Sequence, residues 1–89
     1  MPFGQLVERG LLKPGDELTS VNKRYVARVR PDGTLITHKA KGSIHRVGAI
    51  LEGSPSCNGW NYWHVIKGGE LIPIDYFRQK ARTMNANAK

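Results

Sequence analysis

Cysteine is nearly absent from this sequence, since Cys57 is the only one among 89 residues. No disulfide can form within the chain, and we expect a reducing, intracellular compartment. No apolar run approaches the roughly 20 residues of a membrane-spanning helix. Residues 1–10 lack the basic start and apolar run of a signal peptide. We therefore expect neither a secreted, disulfide-stapled domain nor a membrane protein.

The signatures of common enzymatic chemistry are missing as well. Cys57, His45 and His64 are scattered at spacings that match no zinc site. No phosphate-cradling glycine-rich loop of the P-loop or dinucleotide-binding kind is present, and no pair of carboxylates stands out. We expect no catalytic residues, no metal and no cofactor in this chain.

Acidic residues are scarce in the middle of the chain, although the whole sequence carries 14 basic and 7 acidic residues, for a net charge of +7. Between positions 23 and 46 the only acid is Asp32. A basic middle on a folded domain favours a polyanionic partner such as nucleic acid. A solvated surface would have the same composition, so charge alone leaves both interpretations open. The basic residues of this stretch are Lys23, Arg24, Arg28, Arg30, Lys39, Lys41 and Arg46.

The first half of the chain predicts a helix followed by a hairpin. Apolar residues in positions 3–7 have helical spacing, and Gly10 can end that helix. Positions 25–29 alternate as a strand does, with Ala27 and Val29 on one face and Arg28 on the other. A Pro-Asp-Gly turn at 31–33 then leads to a second strand at 35–37.

The second half predicts a helix, a strand pair and a final helix. Ser43 is a suitable N-cap for the first of these helices, and Gly53 can close it. A loop at 54–59 precedes a strand over 62–66 and a short return at 71–72. Pro73 suits the first position of the last helix, whose inward residues are expected to be Ile74, Phe77 and Ala81. We predict one small α+β domain over residues 1–82, with an antiparallel sheet of three to four strands and two to three helices, and a flexible tail over 83–89.

The start of the Ser43 helix is the first candidate binding site. Free N–H groups and partial positive charge at a helix N-terminus suit a phosphate. His45 and Arg46 fall in the first turn, where a cation opposes the helix dipole and a bound anion would offset that cost. The alternative is an ordinary serine cap beside a solvated arginine, because such caps are common.

The segment from Cys57 to Trp63 is the second candidate site, because it holds three aromatics and two asparagines in seven residues. Trp60 can act as an exposed platform for a stacked base, or it can be part of the core. Asn58 can pair with adenine, or form a turn with Gly59. Trp63 is expected in the core, as large aromatics usually are.

The last helix carries Arg78 and Arg82 on one face, at an i, i+4 spacing. Both suit the end of a helix dipole, and Asp75 can pair with Arg78 at i, i+3. A structural role explains them adequately, and phosphate contact is the second possibility.

Four segments in a fixed order resemble the C-terminal domain of the cell-cycle-regulated adenine DNA methyltransferases, the CcrM type. Gly-Ser-Ile-His and Cys-Asn-Gly-Trp, in that order and separation, are more specific than a single motif. Related domains associated with restriction enzymes and adenine methylases carry similar segments. The four segments are ARVRPDGTL at 27–35, GSIHRVGA at 42–49, CNGWNYWH at 57–64 and PID at 73–75.

This resemblance implies a parent enzyme that transfers a methyl group from S-adenosylmethionine to N6 of adenine in duplex GANTC. Such enzymes belong to bacterial cell-cycle control, and the terminal domain helps to bind and recognise the DNA. Ser43, Asn58, Trp60 and Arg78 match family positions linked to DNA binding. The family's Asp-Pro-Pro-Tyr segment and its glycine-rich cofactor motif are absent here, so we expect no methylation by this chain alone.

We therefore predict a DNA-binding module in the bacterial cytoplasm, associated with the nucleoid. Its partners are double-stranded DNA, the catalytic domain of the parent methyltransferase, and a second copy if the parent dimerises. The alternative is a protein-interaction module that docks on the catalytic domain or mediates dimerisation. The predicted DNA-binding residues are Gly42, Ser43, His45, Arg46, Asn58, Trp60 and Arg78, with Arg28, Arg30, Lys39, Lys41 and Arg82 as further candidate phosphate contacts.

Overall fold

A computed structural model describes residues 3–87 of the chain, with side chains described for residues 3–83. Within this part, helices and strands alternate in short segments. The helices are Gly4–Glu8 (α1), Ile44–Glu52 (α2), Gly59–Tyr62 (α3) and Asp75–Asn87 (α4). The strands are Glu17–Ser20 (β1), Val26–Val29 (β2), Leu35–Ile36 (β3), Lys41–Gly42 (β4), Trp63–Lys67 (β5) and Glu70–Pro73 (β6).

The six strands form one antiparallel sheet in the order β4-β3-β2-β1-β5-β6. The predicted hairpin is confirmed as β2 and β3, with Val29 paired to Leu35. The second hairpin, β5 and β6, turns through Gly68 and Gly69, both at positive φ. Two consecutive residues at positive φ give a turn whose twist matches that of the flanking strands.

The α+β class is confirmed, but the expected element numbers are wrong: the described chain has six strands and four helices. β1 was missed because its sequence, Glu-Leu-Thr-Ser, has weak strand propensity; its pairing with both β2 and β5 stabilises it. β4 has two residues and α3 has four. Elements of that length leave no periodic pattern in a sequence.

The sheet has one buried and one exposed face. Side chains alternate between them, so Leu18, Ala27 and Leu35 lie in the core, at 0%, 1% and 0% exposure. The opposite face carries Arg28 and three apolar residues that are 40–53% exposed. We call this opposite side, with Val26, Arg28, Ile36 and Ile66, the open sheet face.

The helices cover the buried face, and Trp63 is central to that packing. Trp63 is fully buried, as predicted, and its indole N–H donates to the Ile44 carbonyl oxygen at 2.9 Å. This bond satisfies the one polar atom of the indole and joins β5 to the first turn of α2. The predicted inward residues of α4 are also confirmed, with Ile74, Phe77 and Ala81 at 0%, 6% and 0% exposure.

Three predicted boundaries differ from the structure. Pro73 ends β6 rather than opening the last helix, which begins at Asp75; β6 is an edge strand, where a residue without an N–H is tolerated. Tyr62 ends α3, so the strand starts one residue later, at Trp63. α4 continues to Asn87, into the region predicted as a tail. The rest of that tail, residues 88–89, lies outside the described residues, as do residues 1–2.

Candidate nucleic-acid interface

Residues 42–46, which we call the α2 start, join the edge strand β4 to helix α2. Ser43 is the N-cap, as predicted: its hydroxyl oxygen accepts a hydrogen bond from the Arg46 backbone N–H at 3.1 Å. Gly53 closes the helix in the left-handed conformation. The first turn of α2 holds no acidic residue. The positive end of the helix dipole is therefore not compensated within its own first turn.

His45 ties the α2 start to the next helix. The Gly59 backbone N–H donates to Nδ1 of His45 at 2.9 Å. A neutral imidazole that accepts at Nδ1 carries its proton on Nε2. The exposed ring of His45 therefore offers an N–H donor at Nε2.

Arg46 is exposed and forms no ion pair within residues 3–87. The stem of its side chain passes close to Gly42, where an added Cβ would come within 3.3 Å of Arg46 Cδ. Glycine at position 42 thus lets the Arg46 side chain fold back along the end of β4. This contact places a guanidinium beside the free end of α2.

A hollow lies on each side of the α2 start, and Ser43 and His45 contribute to both. The first has a volume of about 470 Å³, and we call it the hydroxyl hollow. The second has about 420 Å³, and we call it the aromatic hollow. The hydroxyl hollow is lined by Ser43, His45, Arg46, Ser54, Ser56 and Cys57, among others. The lining of the aromatic hollow includes Phe3, Asp32, Gly33, Ser43, His45 and Trp60.

Asn58 lies beside the α2 start and is the N-cap of α3, so it opens a short helix where the sequence offered a turn with Gly59. Its side-chain oxygen accepts from the Trp60 N–H at 3.1 Å, and the residue is exposed. Gly59, next in the chain, packs so tightly on α2 that a Cβ would come within 2.7 Å of the Ile44 backbone carbon. The Asn58 amide nitrogen has no hydrogen-bond partner among the described residues, so it can donate to a ligand.

Trp60 is buried, with 7% exposure, so of the two alternatives it takes the core role and is not an exposed stacking platform. Phe3 packs against its ring at a centroid distance of 6.1 Å, and the Arg78 guanidinium carbon lies 4.5 Å from the ring centroid. Arg78 also forms the predicted ion pair with Asp75. The structure thus gives Trp60 and Arg78 a packing role, while a DNA contact by either residue stays a prediction.

The basic stretch of the sequence does not form a single surface in the fold. Arg28 lies on the open sheet face, where it pairs with Glu17 at 3.5 Å, and Lys41 shares that face because its register partner is Ile36. Arg46 belongs instead to the α2 start. The other three candidate phosphate contacts are dispersed: Arg30 follows β2, Lys39 lies in the turn before β4, and Arg82 is on the exposed side of α4.

The titratable groups at the far end of α2 have a structural role and not a catalytic one. The Tyr62 hydroxyl donates to Glu52 at 2.6 Å, and this bond keeps the pKa of the Glu52 carboxyl below its usual value. Burial, with the same bond, raises the pKa of Tyr62 well above its usual value. Burial and the Glu52 charge also raise the pKa of Cys57, so its thiol stays protonated at neutral pH and is a poor nucleophile.

Several residues that line the two hollows were not predicted as site residues from the sequence, among them Phe3, Asp32, Ser54 and Ser56. In the sequence, Phe3 has the pattern of an ordinary core residue, and Asp32 has that of an ordinary turn residue. Only tertiary packing brings the β2–β3 turn and the start of α1 beside the α2 start. Among the described residues, no group of three His, Cys, Asp or Glu side chains could hold a metal ion.

The fold and the α2 start together define a compact, basic α+β module with a helix start between two hollows. The chain belongs to the RAMA family, described as Restriction Enzyme Adenine Methylase Associated, whose family model matches residues 1–87. It is also similar to the Type II methyltransferase M.HinfI of Haemophilus influenzae, with 27% identity over 78 residues. That similarity covers 88% of this chain and 22% of M.HinfI, so the chain spans about a fifth of that relative. No helix within residues 3–87 could cross a bilayer.

Proposed function

We propose that this chain is a non-catalytic DNA-binding module that assists target recognition by an adenine-N6 DNA methyltransferase. The observation that carries the proposal is the α2 start. There, an uncompensated helix N-terminus, the Arg46 guanidinium and the His45 Nε2 donor lie together. Such a group of donors and cations suits the phosphates of a DNA backbone.

The electrostatics of α2 support this choice. The positive charge of Arg46 in the first turn destabilises the helix when it is considered alone, by roughly 0.3–1 kcal/mol. A phosphate at the α2 start would interact favourably with the helix dipole and with Arg46 at once. A DNA phosphate would therefore provide the negative charge that the first turn of α2 lacks.

Affinity and specificity would come from different residues. Phosphate contacts at Ser43, His45 and Arg46 would provide most of the affinity and fix the position of the strand. The free amide nitrogen of Asn58 is the candidate for base contact. Gly42 contributes through its backbone, which allows the approach of Arg46.

The finer identity rests on the resemblance and on family membership. The family description and the similarity to a methyltransferase support a parent enzyme that methylates adenine. We propose that this parent is of the CcrM type, uses S-adenosylmethionine, recognises GANTC and carries this module at its C-terminus. The catalytic domain would be the module's protein partner, with a second copy if the parent dimerises, in the bacterial cytoplasm near the nucleoid.

The proposal is tested by fluorescence anisotropy of a labelled duplex titrated with the domain. About three phosphate contacts would give a slope near −2.7 for log affinity against log salt, which is an affinity loss of about 40-fold from 50 to 200 mM salt. Non-specific affinity alone would correspond to dissociation constants of about 10⁻⁴–10⁻⁶ M.

Two duplexes are compared, one containing GANTC and one with the same bases scrambled. Tighter binding to GANTC would show that the module reads sequence by itself, and equal binding would assign specificity to the catalytic domain. If the folded domain bound neither duplex at low salt, the proposed function would be wrong.

A protein-interaction module is the second candidate, and one observation favours it. Val26, Ile36 and Ile66 expose 51%, 40% and 53% of their surface on the open sheet face. Apolar side chains of this kind could dock on a catalytic domain or on a second copy. An apolar interface would be nearly insensitive to salt, whereas phosphate binding weakens steeply.

A further inference from the structure

The two hollows beside the α2 start differ in charge. The hydroxyl hollow contains Arg46 and three serines but no carboxylate, so a phosphate is compatible with it. The aromatic hollow contains Asp32, the only acid in the basic middle of the chain. A carboxylate repels a phosphate, so the aromatic hollow suits a different part of a nucleotide.

Asp32 is held in a fixed orientation at the wall of the aromatic hollow. Its Oδ1 accepts from the Thr34 backbone N–H at 3.0 Å and from the Thr34 hydroxyl at 2.6 Å. Its other oxygen, Oδ2, has no hydrogen-bond partner within residues 3–87. The carboxylate therefore keeps a free acceptor while its position is set by Thr34.

The wall itself is built by a close contact between two chain segments. Gly33 has φ of +82°, and a Cβ there would come within 2.6 Å of the Gly4 Cα. Only glycine permits this approach of the β2–β3 turn to the start of α1. The contact brings Asp32 into the lining of the same hollow as Phe3 and Trp60.

We propose, on the basis of the proposed DNA-binding function, that the aromatic hollow accepts one unpaired nucleobase with an exocyclic amino group, adenine, cytosine or guanine, and that Asp32 determines this specificity. A carboxylate accepts a hydrogen bond from the amino group of each of these bases, whereas thymine has carbonyl oxygens and no amino group. The volume of about 420 Å³ falls in the range of small-ligand sites. A base still inside a duplex could present only its edge to the rim.

The test uses a labelled DNA hairpin with one bulged nucleotide, which is A, C, G, T or an abasic residue. We expect the domain to bind the A, C and G probes at least about fivefold more tightly than the T and abasic probes. Asp32→Asn keeps an oxygen for Thr34 but replaces the free acceptor with a donor. This variant should lose the preference for A, C and G, or shift it toward T.

Glu70→Gln is the matched control, because it removes one negative charge outside both hollows. It should retain the base preference of the unmodified chain. Circular dichroism checks that each variant is folded.

Equal binding of all five probes would overturn the base-site proposal while leaving DNA binding intact. The same conclusion would follow if Asp32→Asn tightened binding to every probe equally, because Asp32 would then act only through charge. Absence of binding to any probe would instead refute the proposed function and this inference together.

Discussion

The α2 start and the open sheet face both carry an arginine, but only the arginine of the open sheet face forms an ion pair within the described residues. Arg28 on the open sheet face lies 3.5 Å from Glu17, its register partner on β1. Arg46 at the α2 start forms no ion pair within the described residues, and its helix turn has no acid. The charge of Arg28 is matched inside the fold, whereas the charge of Arg46 has no partner among the described residues and is available to a ligand.

The same contrast holds for the backbone of the two regions. Strands in the middle of the sheet satisfy their N–H and C=O groups by pairing on both sides. The α2 start leaves N–H groups of the first helical turn beside a cation and an imidazole donor. The net charge of +7 does not by itself locate a binding surface, and we propose one only where positive charge coincides with unsatisfied donors.

The largest expected effect is a loss of stability, which should differ between the buried and the exposed side of strand β5. Trp63→Ala removes a fully buried side chain and its bond to Ile44, so the free energy of unfolding should fall by about 3–5 kcal/mol. Ile66→Ala, on the open sheet face, should lower it by less than about 1 kcal/mol. Urea denaturation measures both. A large loss from Ile66→Ala would show that the open sheet face is covered by a partner.

Neutralising one arginine in each region should weaken DNA binding to different extents. Arg46→Gln should weaken duplex binding on the order of fivefold at low salt and reduce the salt slope by about 1, because one phosphate contact is lost. Arg28→Gln should change the affinity by less than about twofold, because its charge is already paired with Glu17. Anisotropy titrations compare the two variants. Equal losses would place DNA on both sides of the sheet.

Ser43 contributes to both stability and binding, and two variants distinguish these roles. Ser43→Ala removes the cap and should cost about 1 kcal/mol of unfolding free energy, whereas Ser43→Gly should cost only a few tenths. If the hydroxyl also contacts a phosphate, both variants should lose DNA affinity to the same extent. An affinity that simply followed the stability of each variant would reduce Ser43 to a cap.

The smallest expected effect is a loss of stability in acid. Hydrogen bonds from Thr34 lower the pKa of Asp32, and the bond from Tyr62 lowers the pKa of Glu52. Because the pKa is lower in the folded state, each carboxylate stabilises the fold above its ordinary pKa, 3.8 for Asp32 and 4.5 for Glu52. That contribution is lost as the pH falls below these values. Glu52→Gln should flatten the acid side of a stability curve measured by urea denaturation, and an unchanged curve would contradict this assignment.

Local signals in the sequence predicted the segments whose ends are marked by turn or capping residues. The Pro-Asp-Gly turn predicted the β2–β3 hairpin, and Ser43 with Gly53 predicted both ends of α2, all confirmed. β1 could not be predicted, because pairing on both sides stabilises a strand whose own sequence is weak.

The candidate site was predicted in part. The α2 start was found because the cap, the glycine and the cations are adjacent in the chain. Trp60 was judged from its place in a loop, but Phe3 and Arg78, which are distant in sequence, bury it. Asp32 was read as a turn residue alone, since its place in the aromatic hollow depends on the contact between Gly33 and Gly4. Contacts between distant segments decide exposure, and a local pattern does not contain them.

The most direct test of the central claim is an NMR titration of the labelled domain with a short GANTC duplex at low and high salt. We expect shifts of the amide signals at 42–46 and 58–60 that fade at high salt, while Val26, Ile36 and Ile66 stay unchanged. Shifts centred on those three residues of the open sheet face, or no shifts at low salt from a folded domain, would contradict the assignment of the α2 start as the DNA-binding site.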